Sequence, residues 1–375
     1  MGKSSARLRT YFGWLLASAF VIVGACFTVN CLIDPLWYLC GNLLTGINYP
    51  FNERLSKVIR LLPRLKDYDC VIFGTSRSTL LPEDQVPGYH CYNLAFSDGQ
   101  VSEYLPYARY LRHRGFDPKL LIVEVRRGDL IGPLTPPEIP EFIPVVEPPP
   151  EAPEFILTGK APPSILASYL SLDVLDFSIR TLRRDAPHHR YYDQAFHADL
   201  EVRSKKRYYK PADTIAPMPP PLDLHTERGA LYGELRRQFP RARAIGYVPP
   251  ESAWRMAAFS LTDAFEPYLA AIAAISANYD RFLDFSAPSP LTTSKSPNDT
   301  YDGVHYSRTA NQRVLADLLG SRSGIALDWR GEDPAATAAT LRSRLEQFRA
   351  TLTPVDAGAK AAKGSHKKEP RPTSD

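Results

Sequence analysis

No two of the five cysteines (Cys26, Cys31, Cys40, Cys70 and Cys91) stand at a metal-binding spacing such as C-x2-C, so the sequence offers no structural metal framework. Charge of one sign is equally scarce. The 375 residues carry 45 Lys and Arg against 41 Asp and Glu, a net +4, too mild a surplus to point to nucleic acid as a partner. His90, His113, His188, His189, His197 and His225 lack a framing motif, and His188-His189 near Asp193 and His197 matches no established zinc pattern. The expectation is a protein that needs neither metal nor cofactor. Once a membrane segment and a tail are set aside, roughly 300 residues remain, enough for one large domain with a full core.

Charge is also missing along one long run. From Tyr11 to Ile33 there are 23 residues without a formal charge, long enough to cross a hydrocarbon core of about 30 Å as a helix. Lys3, Arg7 and Arg9 precede the run and Asp34 follows it, which leaves residues 1–10 in the cytoplasm and everything after residue 33 outside. Trp14, Trp37 and Tyr38 stand near its ends, where amphipathic rings favour the interface. A cleaved signal peptide has a shorter apolar stretch. Val23-Gly24-Ala25-Cys26 has the look of a lipoprotein cleavage box, but seven further uncharged residues follow Cys26. The reading is an uncleaved signal anchor, residues 11–33, in a bacterial inner membrane. It would hold a periplasmic or extracellular domain over 34–354, with a disordered Lys-, Ala- and Pro-rich tail over 355–375. In such a compartment Cys40, Cys70 and Cys91 leave two options open, one disulfide or buried free thiols.

The pattern after the anchor is α/β. An amphipathic stretch carries Leu55, Val58, Ile59 and Leu62 at helical spacing. Three short apolar strands follow: Cys70 to Phe73, Tyr89 to Ala95, and Leu120 to Val125, with a helix over 101–114 before the third. Each strand ends in a polar loop containing glycine, and short apolar strands separated by helices predict a parallel sheet covered on both faces. In such sheets the carboxyl-end loops carry the ligand site. The pattern resumes with a helix over 222–239, a strand over 242–248, a helix over 261–278 and a short strand over 282–285. A helix then runs from Ser307 to about Leu319, and a last one over 334–352. Between the two halves, residues 129–221 form an insertion. Gly132 to Pro163 alone contains eleven prolines, which excludes a central strand or a long helix there. A helix over 165–183 and a basic, tyrosine-rich stretch over 187–209 follow.

Ser76 stands where the first strand gives way to what reads as a helix, in Gly74-Thr75-Ser76-Arg77-Ser78. A hydroxyl there is exposed at the sheet edge, and a helix N-terminus would offer N–H donors to a developing oxyanion. Capping that helix is the plainer job for such a serine. As a nucleophile it needs a base, and one histidine is well framed: His305, three residues after Asp302 in Asp302-Gly303-Val304-His305.

These two blocks resemble the first and last blocks of the SGNH/GDSL hydrolases. The Gly-Thr-Ser-Arg variant, with Asp34-Pro35 after the anchor and Asn93-Leu94-Ala95 at the end of the second strand, is similar to their membrane-anchored bacterial envelope branch, the DltD-like proteins. The resemblance covers roughly residues 30–130 and 222–320. It implies a three-layer α/β/α, flavodoxin-like parallel sheet. It also implies Ser76 as nucleophile, His305 as general base, Asp302 as the residue orienting it, and Gly99 as a second oxyanion N–H donor. Two positions depart from the pattern. Thr75 replaces the Asp before the nucleophile, and Arg126-Arg127-Gly128-Asp129 occupies the region where an Asn is usual, so Arg77 or Arg126 is expected to supply charge instead.

Two functional classes follow. One is an O-acyltransferase or esterase acting on a cell-surface glycan or acylated envelope polymer, with a membrane partner handing over acyl groups. The other is a catalytically silent module that binds polysaccharide or scaffolds an envelope synthesis complex. In either case the insertion, rooted at the ligand edge, is expected to shape access to Ser76, with the 165–183 helix packed beside the site.

Overall fold

The computed structural model describes residues 2–50, 52–131, 167–185, 190–200, 209–212, 214–218 and 224–352. The proline-rich segment 132–163, the pair His188-His189, the basic residues 201–208 and the tail 355–375 lie outside them.

The chain opens with one helix, Gly2–Ile33, whose segment Arg7–Ile33 is long and apolar enough to cross a membrane. Asp34 ends it in the left-handed region (φ 44°), and Pro35 has no N–H to continue it. The Asp34 carboxylate accepts the N–H groups of Tyr38, Leu39 and Gly41 at 3.1, 3.0 and 2.7 Å, and Asn48 Nδ2 donates to its carbonyl at 2.7 Å. The chain leaving the helix is thereby folded back against its C-terminal end.

Nine strands follow among the described residues: β1 (Ile47–Asn48), β2 (Cys70–Phe73), β3 (Cys91–Asn93), β4 (Leu120–Glu124), β5 (Arg190–Asp193), β6 (Ala198–Leu200), β7 (Arg243–Val248), β8 (Arg281–Asp284) and β9 (Leu327–Asp328). The main sheet has the order β3-β2-β4-β7-β8-β9, parallel except for β9. Alternation along each strand divides the core in two. Val71, Phe73, Leu121, Val123, Ala244 and Phe282 point to one face, under the helices Val101–His113, Gly229–Gln238 and Phe265–Ser276. Cys70, Ile72, Leu120, Ile122, Ile245 and Leu283 point to the other, under the helix Arg308–Leu319. Burial on both faces accounts for strands that read as continuous apolar runs.

Several expectations need correction. Leu81 precedes Pro82, which disfavours helical backbone before it, so β2 leads into a single 3-10 turn, Ser78–Leu80, and no α-helix. The helix expected over 261–278 is Phe265–Ser276, with Pro267 in its first turn, and a further helix, Ala253–Phe259, precedes it where none was expected. The tyrosine-rich stretch contributes β5 and β6, which join β1 in a small antiparallel sheet. The helix expected from residue 165 begins at Leu172, after Ser171 caps it by accepting the Asp173 N–H at 3.1 Å. It packs on the N-terminal helix, where Ser178 Oγ donates to Asn30 Oδ1 at 2.8 Å, and its expected place beside Ser76 is not observed.

Cys70 and Cys91 are register partners at the start of β2 and β3 and are joined as a disulfide. Cys26, Cys31 and Cys40 are free thiols. Closing a loop with a sequence separation of 21 removes chain entropy worth about 3 kcal/mol. The chain denatured without reductant should therefore titrate three thiols, and five only after reduction. Replacing both Cys70 and Cys91 by Ala should lower the urea midpoint by that order; an unchanged midpoint would contradict the cross-link.

Candidate active site

The site begins with a carboxylate that belongs to none of the expected residues. β2 and β4 pair from Cys70↔Leu120 to Phe73↔Val123, so the next rung sets Gly74 beside Glu124. A Cβ at Gly74 would meet Glu124 Cβ at 2.9 Å and Ser78 Oγ at 2.1 Å; only glycine lets the turn close over that strand end. Glu124 is fully buried and carries the turn. It accepts the Thr75 N–H at 2.9 Å, the Thr75 hydroxyl at 2.8 Å, Arg77 Nη2 at 2.7 Å and the Ser78 hydroxyl. Tyr247, opposite Glu124 on β7, closes the cluster through Ser78 Oγ at 2.6 Å. Burial works to raise the Glu124 carboxyl, but the Arg77 guanidinium and these hydrogen bonds prevail and hold it below the usual range.

Ser76 sits at the top of this turn. Its Oγ lies 2.8 Å from His305 Nε2, and His305 Nδ1 lies 2.7 Å from Asp302 Oδ2. The other oxygen of Asp302 accepts the N–H groups of Val304 and His305 at 2.8 and 2.7 Å, so one carboxylate shapes the loop and aims the ring. Gly303 makes that loop possible: its φ is +78°, and a Cβ would meet the Tyr209 ring at 2.5 Å. The Tyr301 ring stacks on the imidazole, centroids 5.6 Å apart. Burial works to raise Asp302, but its bonds to His305 hold it below the carboxylate range. Ser76 caps no helix; its carbonyl accepts from Thr79 Oγ1 at 2.6 Å while its hydroxyl faces the histidine.

The relay opens on a cleft of about 460 Å³. It lies at the carboxyl ends of β2 and β4, where the chain switches from building one side of the sheet to building the other, the place where open α/β sheets bind ligands. Four arginines line it, and each meets a carboxylate: Arg77–Glu124 at 2.7 Å, Arg126–Asp98 at 2.7 Å, Arg127–Glu251 at 2.8 Å and Arg255–Glu251 at 2.8 Å. Arg77 and Arg126 therefore reach the cleft as ion pairs. Arg126 Nη1 also donates to the carbonyls of Asp98 and Gly99 at 3.1 and 3.2 Å. The Gly99 N–H donates to Phe96 O at 3.2 Å, which turns it into its own loop. Asp129 points away from the cleft: it is buried, takes the Val101 N–H at 3.2 Å and the Tyr232 hydroxyl at 2.6 Å.

A second buried group supports Ser76 from behind. Arg190, at the start of β5, donates to the Ser76 carbonyl at 3.3 Å and to both oxygens of Glu53 at 2.8 Å. Glu53 also accepts the Ser97 N–H at 2.7 Å and the Tyr192 hydroxyl. Burial alone would raise its carboxyl; Arg190 and Lys57 outweigh that and bring it down to about 2. Glu53, Glu124, Arg190 and Tyr301 escape sequence reading, although a Glu ending the apolar run Leu120–Val123 is itself a sign of a buried pair. His197 Nδ1 meets Asp193 Oδ2 at 3.2 Å, and no cluster of three metal-ligating side chains occurs among the described residues.

A scan against protein-family models and a search of the curated proteins return no match for this chain.

The two buried carboxyls make the site acid-sensitive. A carboxyl held low in the fold contributes stability that is complete above its unfolded value, near 4.5, and is lost as pH falls through the folded value, for Glu53 about 2. The part of the stability that these two carboxyls supply should stay level from pH 7 to about pH 5 and fall steadily below, read as the difference between the chain and its Glu53→Gln variant. Glu53→Gln should start lower at pH 7 and lose less in acid. Glu124→Gln strands the Arg77 guanidinium and should cost about 3–5 kcal/mol at neutral pH; a neutral outcome would remove Glu124 from its place at the centre of the turn.

Proposed function

We propose that this chain is a membrane-anchored, extracytoplasmic serine acyltransferase or esterase of SGNH-like, three-layer architecture, acting on a cell-surface polysaccharide or acylated envelope polymer. The observation that carries the reading is the hydrogen-bonded relay Ser76–His305–Asp302, at 2.8 and 2.7 Å, set in a cleft. The strand order supports it, because the first main-sheet strand, β2, lies between the second and third, as in flavodoxin-like sheets. The Cys70–Cys91 disulfide fits an oxidising compartment.

The chemistry runs as acyl transfer through serine. Ser76 Oγ attacks the acyl carbonyl while His305 Nε2 takes its proton, and Asp302 stabilises the imidazolium. The tetrahedral adduct collapses to an ester on Ser76, and the leaving alcohol takes the proton back from His305. A glycan hydroxyl or water then attacks the ester, again giving its proton to His305, and Ser76 is regenerated. The Ser76 N–H, with Arg77 or Arg126, is assigned to the carbonyl oxygen. Arg77, Arg126, Arg127 and Arg255 against Asp98, Glu124 and Glu251 leave one surplus positive charge around the cleft, suited to an acidic or polyhydroxylated polymer.

One observation favours a second reading, a silent polysaccharide-binding or scaffold module. The Gly99 N–H is already donated to Phe96, and loss of one oxyanion donor costs about 100- to 1000-fold in turnover. Reaction of the full chain with a fluorophosphonate probe separates the two. Labelling should fall on Ser76, vanish in Ser76→Ala and drop by about 10³-fold or more in His305→Ala; no labelling of the folded protein would favour the silent module. Orientation is tested separately. A phosphatase reporter joined at residue 355 should be active outside the cytoplasm, and an inactive fusion would reverse the topology.

A further inference from the structure

The helix Leu172–Arg183 carries more apolar surface than the protein uses. At about 100° per residue its side chains fall into three stripes. Val174, Ser178 and Thr181 are buried against the chain. Asp173, Asp176, Arg180 and Arg183 form a charged stripe, with Arg180 Nε on Asp176 at 2.8 Å. Between these lies a third stripe, Leu172, Leu175, Ile179 and Leu182, of which Leu172 is 72% exposed. A helix covering a soluble core needs one apolar stripe; this one has a second that faces out.

The N-terminal helix sets the height of that stripe. Cys26 Sγ lies 3.7 Å from the Ser171 carbonyl, Asn30 Nδ2 donates to Tyr169 O at 2.7 Å, and Asn30 Oδ1 accepts from Ser178. Tyr169, Leu170 and Ser171 therefore stand at the height of Cys26 and Asn30. A hydrocarbon core of about 30 Å takes about 20 helical residues. Counted from Tyr11, just past the charges of Arg7 and Arg9, that length ends near Asn30. Cys26 then lies inside the outer leaflet, and Leu170 and Leu172 lie level with it. Leu43 N donates to Leu32 O at 2.9 Å, two residues past that end, so Leu43 and Leu44, more than half exposed, stand at the interface just above it.

We propose that Leu170 and Leu172, in the outer leaflet beside the N-terminal helix, and Leu43 and Leu44, at its interface, form an apolar collar that seats the domain in the membrane surface. The inference rests on the reading of residues 11–33 as a spanning helix. Continuity with that helix selects lipid as the occupant, since Leu170 and Leu172 are exposed beside Cys26 on a helix whose own apolar side chains are exposed.

The test uses the full chain in vesicles of phosphatidylcholine and phosphatidylglycerol, with p-benzoylphenylalanine placed singly at Leu172, Phe20 or Leu261. All three positions are exposed, so the fold tolerates the probe. After irradiation, lipid adducts at 172 should match those at 20 and exceed those at 261 several-fold. Lipid adducts at 20 with only background at 172, or cross-linking of 172 to a second chain, overturns the collar while leaving the anchor intact. Absence of lipid adducts at 20 overturns the spanning reading and the collar with it.

Discussion

The candidate site depends on one buried charge, the carboxylate of Glu124 at the carboxyl end of β4. A lone ionised carboxyl there would be costly. Here its two oxygens meet the Thr75 N–H and hydroxyl, the Ser78 hydroxyl and the Arg77 guanidinium, so the cost of burial is offset only when residues 74–78 take this one conformation. Ser76 is the residue of that segment whose hydroxyl Glu124 does not take, and it is left pointing at His305. The turn is thus organised by its neighbours, and the serine at its apex is free for chemistry. A helix after β2 would have positioned it differently, through a macrodipole; the sequence Leu81-Pro82 rules that out, and the carboxylate takes over.

The same logic ties the site to the N-terminal helix. Asp34, at the helix end, holds Asn48 of β1 through its carbonyl. β1 pairs with β5, and β5 carries Arg190, which reaches both Glu53 and the Ser76 carbonyl. Every link in this path is short and largely buried. On the proposed reading, Ser76 at the end of it would stand at a set distance from the membrane, and the proposed collar would add a set orientation. Acyl transfer from a membrane partner would need that kind of placement, because attack on a carbonyl tolerates little misplacement of the reacting atoms.

Much of this was legible in the sequence, and what was not has a physical cause. The strands β2, β4, β7 and β8 announce themselves because a parallel strand covered on both faces has no solvent side to interrupt its apolar run. Ser76, Asp302 and His305 stand out because Gly74 and Gly303 mark the two tight turns that hold them. Glu124, Glu53 and Arg190 stay hidden because a buried ion pair is a relation between residues 47 to 137 positions apart, which spacing along the chain does not record. The destination of the helix Leu172–Arg183 was misread for the same reason. Its apolar residues signal burial, but only the contact of Ser178 with Asn30 says against what.

Whether the relay is working machinery or a structural remnant can be argued from what each bond does for the fold. Asp302 has a structural task, since it takes two backbone N–H groups of its own loop. Its second oxygen, on His305, is not needed for that. Ser76 caps nothing, and its Oγ–Nε2 bond is a part-buried contact that a water molecule could replace at little cost. The geometry therefore exceeds what stability asks for at the Oγ–Nε2 bond. Tyr301 stacked on the ring and Glu124 under the turn hold Ser76 and His305 in that orientation, and Glu124 also stabilises the turn itself. On the proposed reading, a transition state that needs the hydroxyl, the imidazole and the carboxylate already in place would draw on that preorganisation.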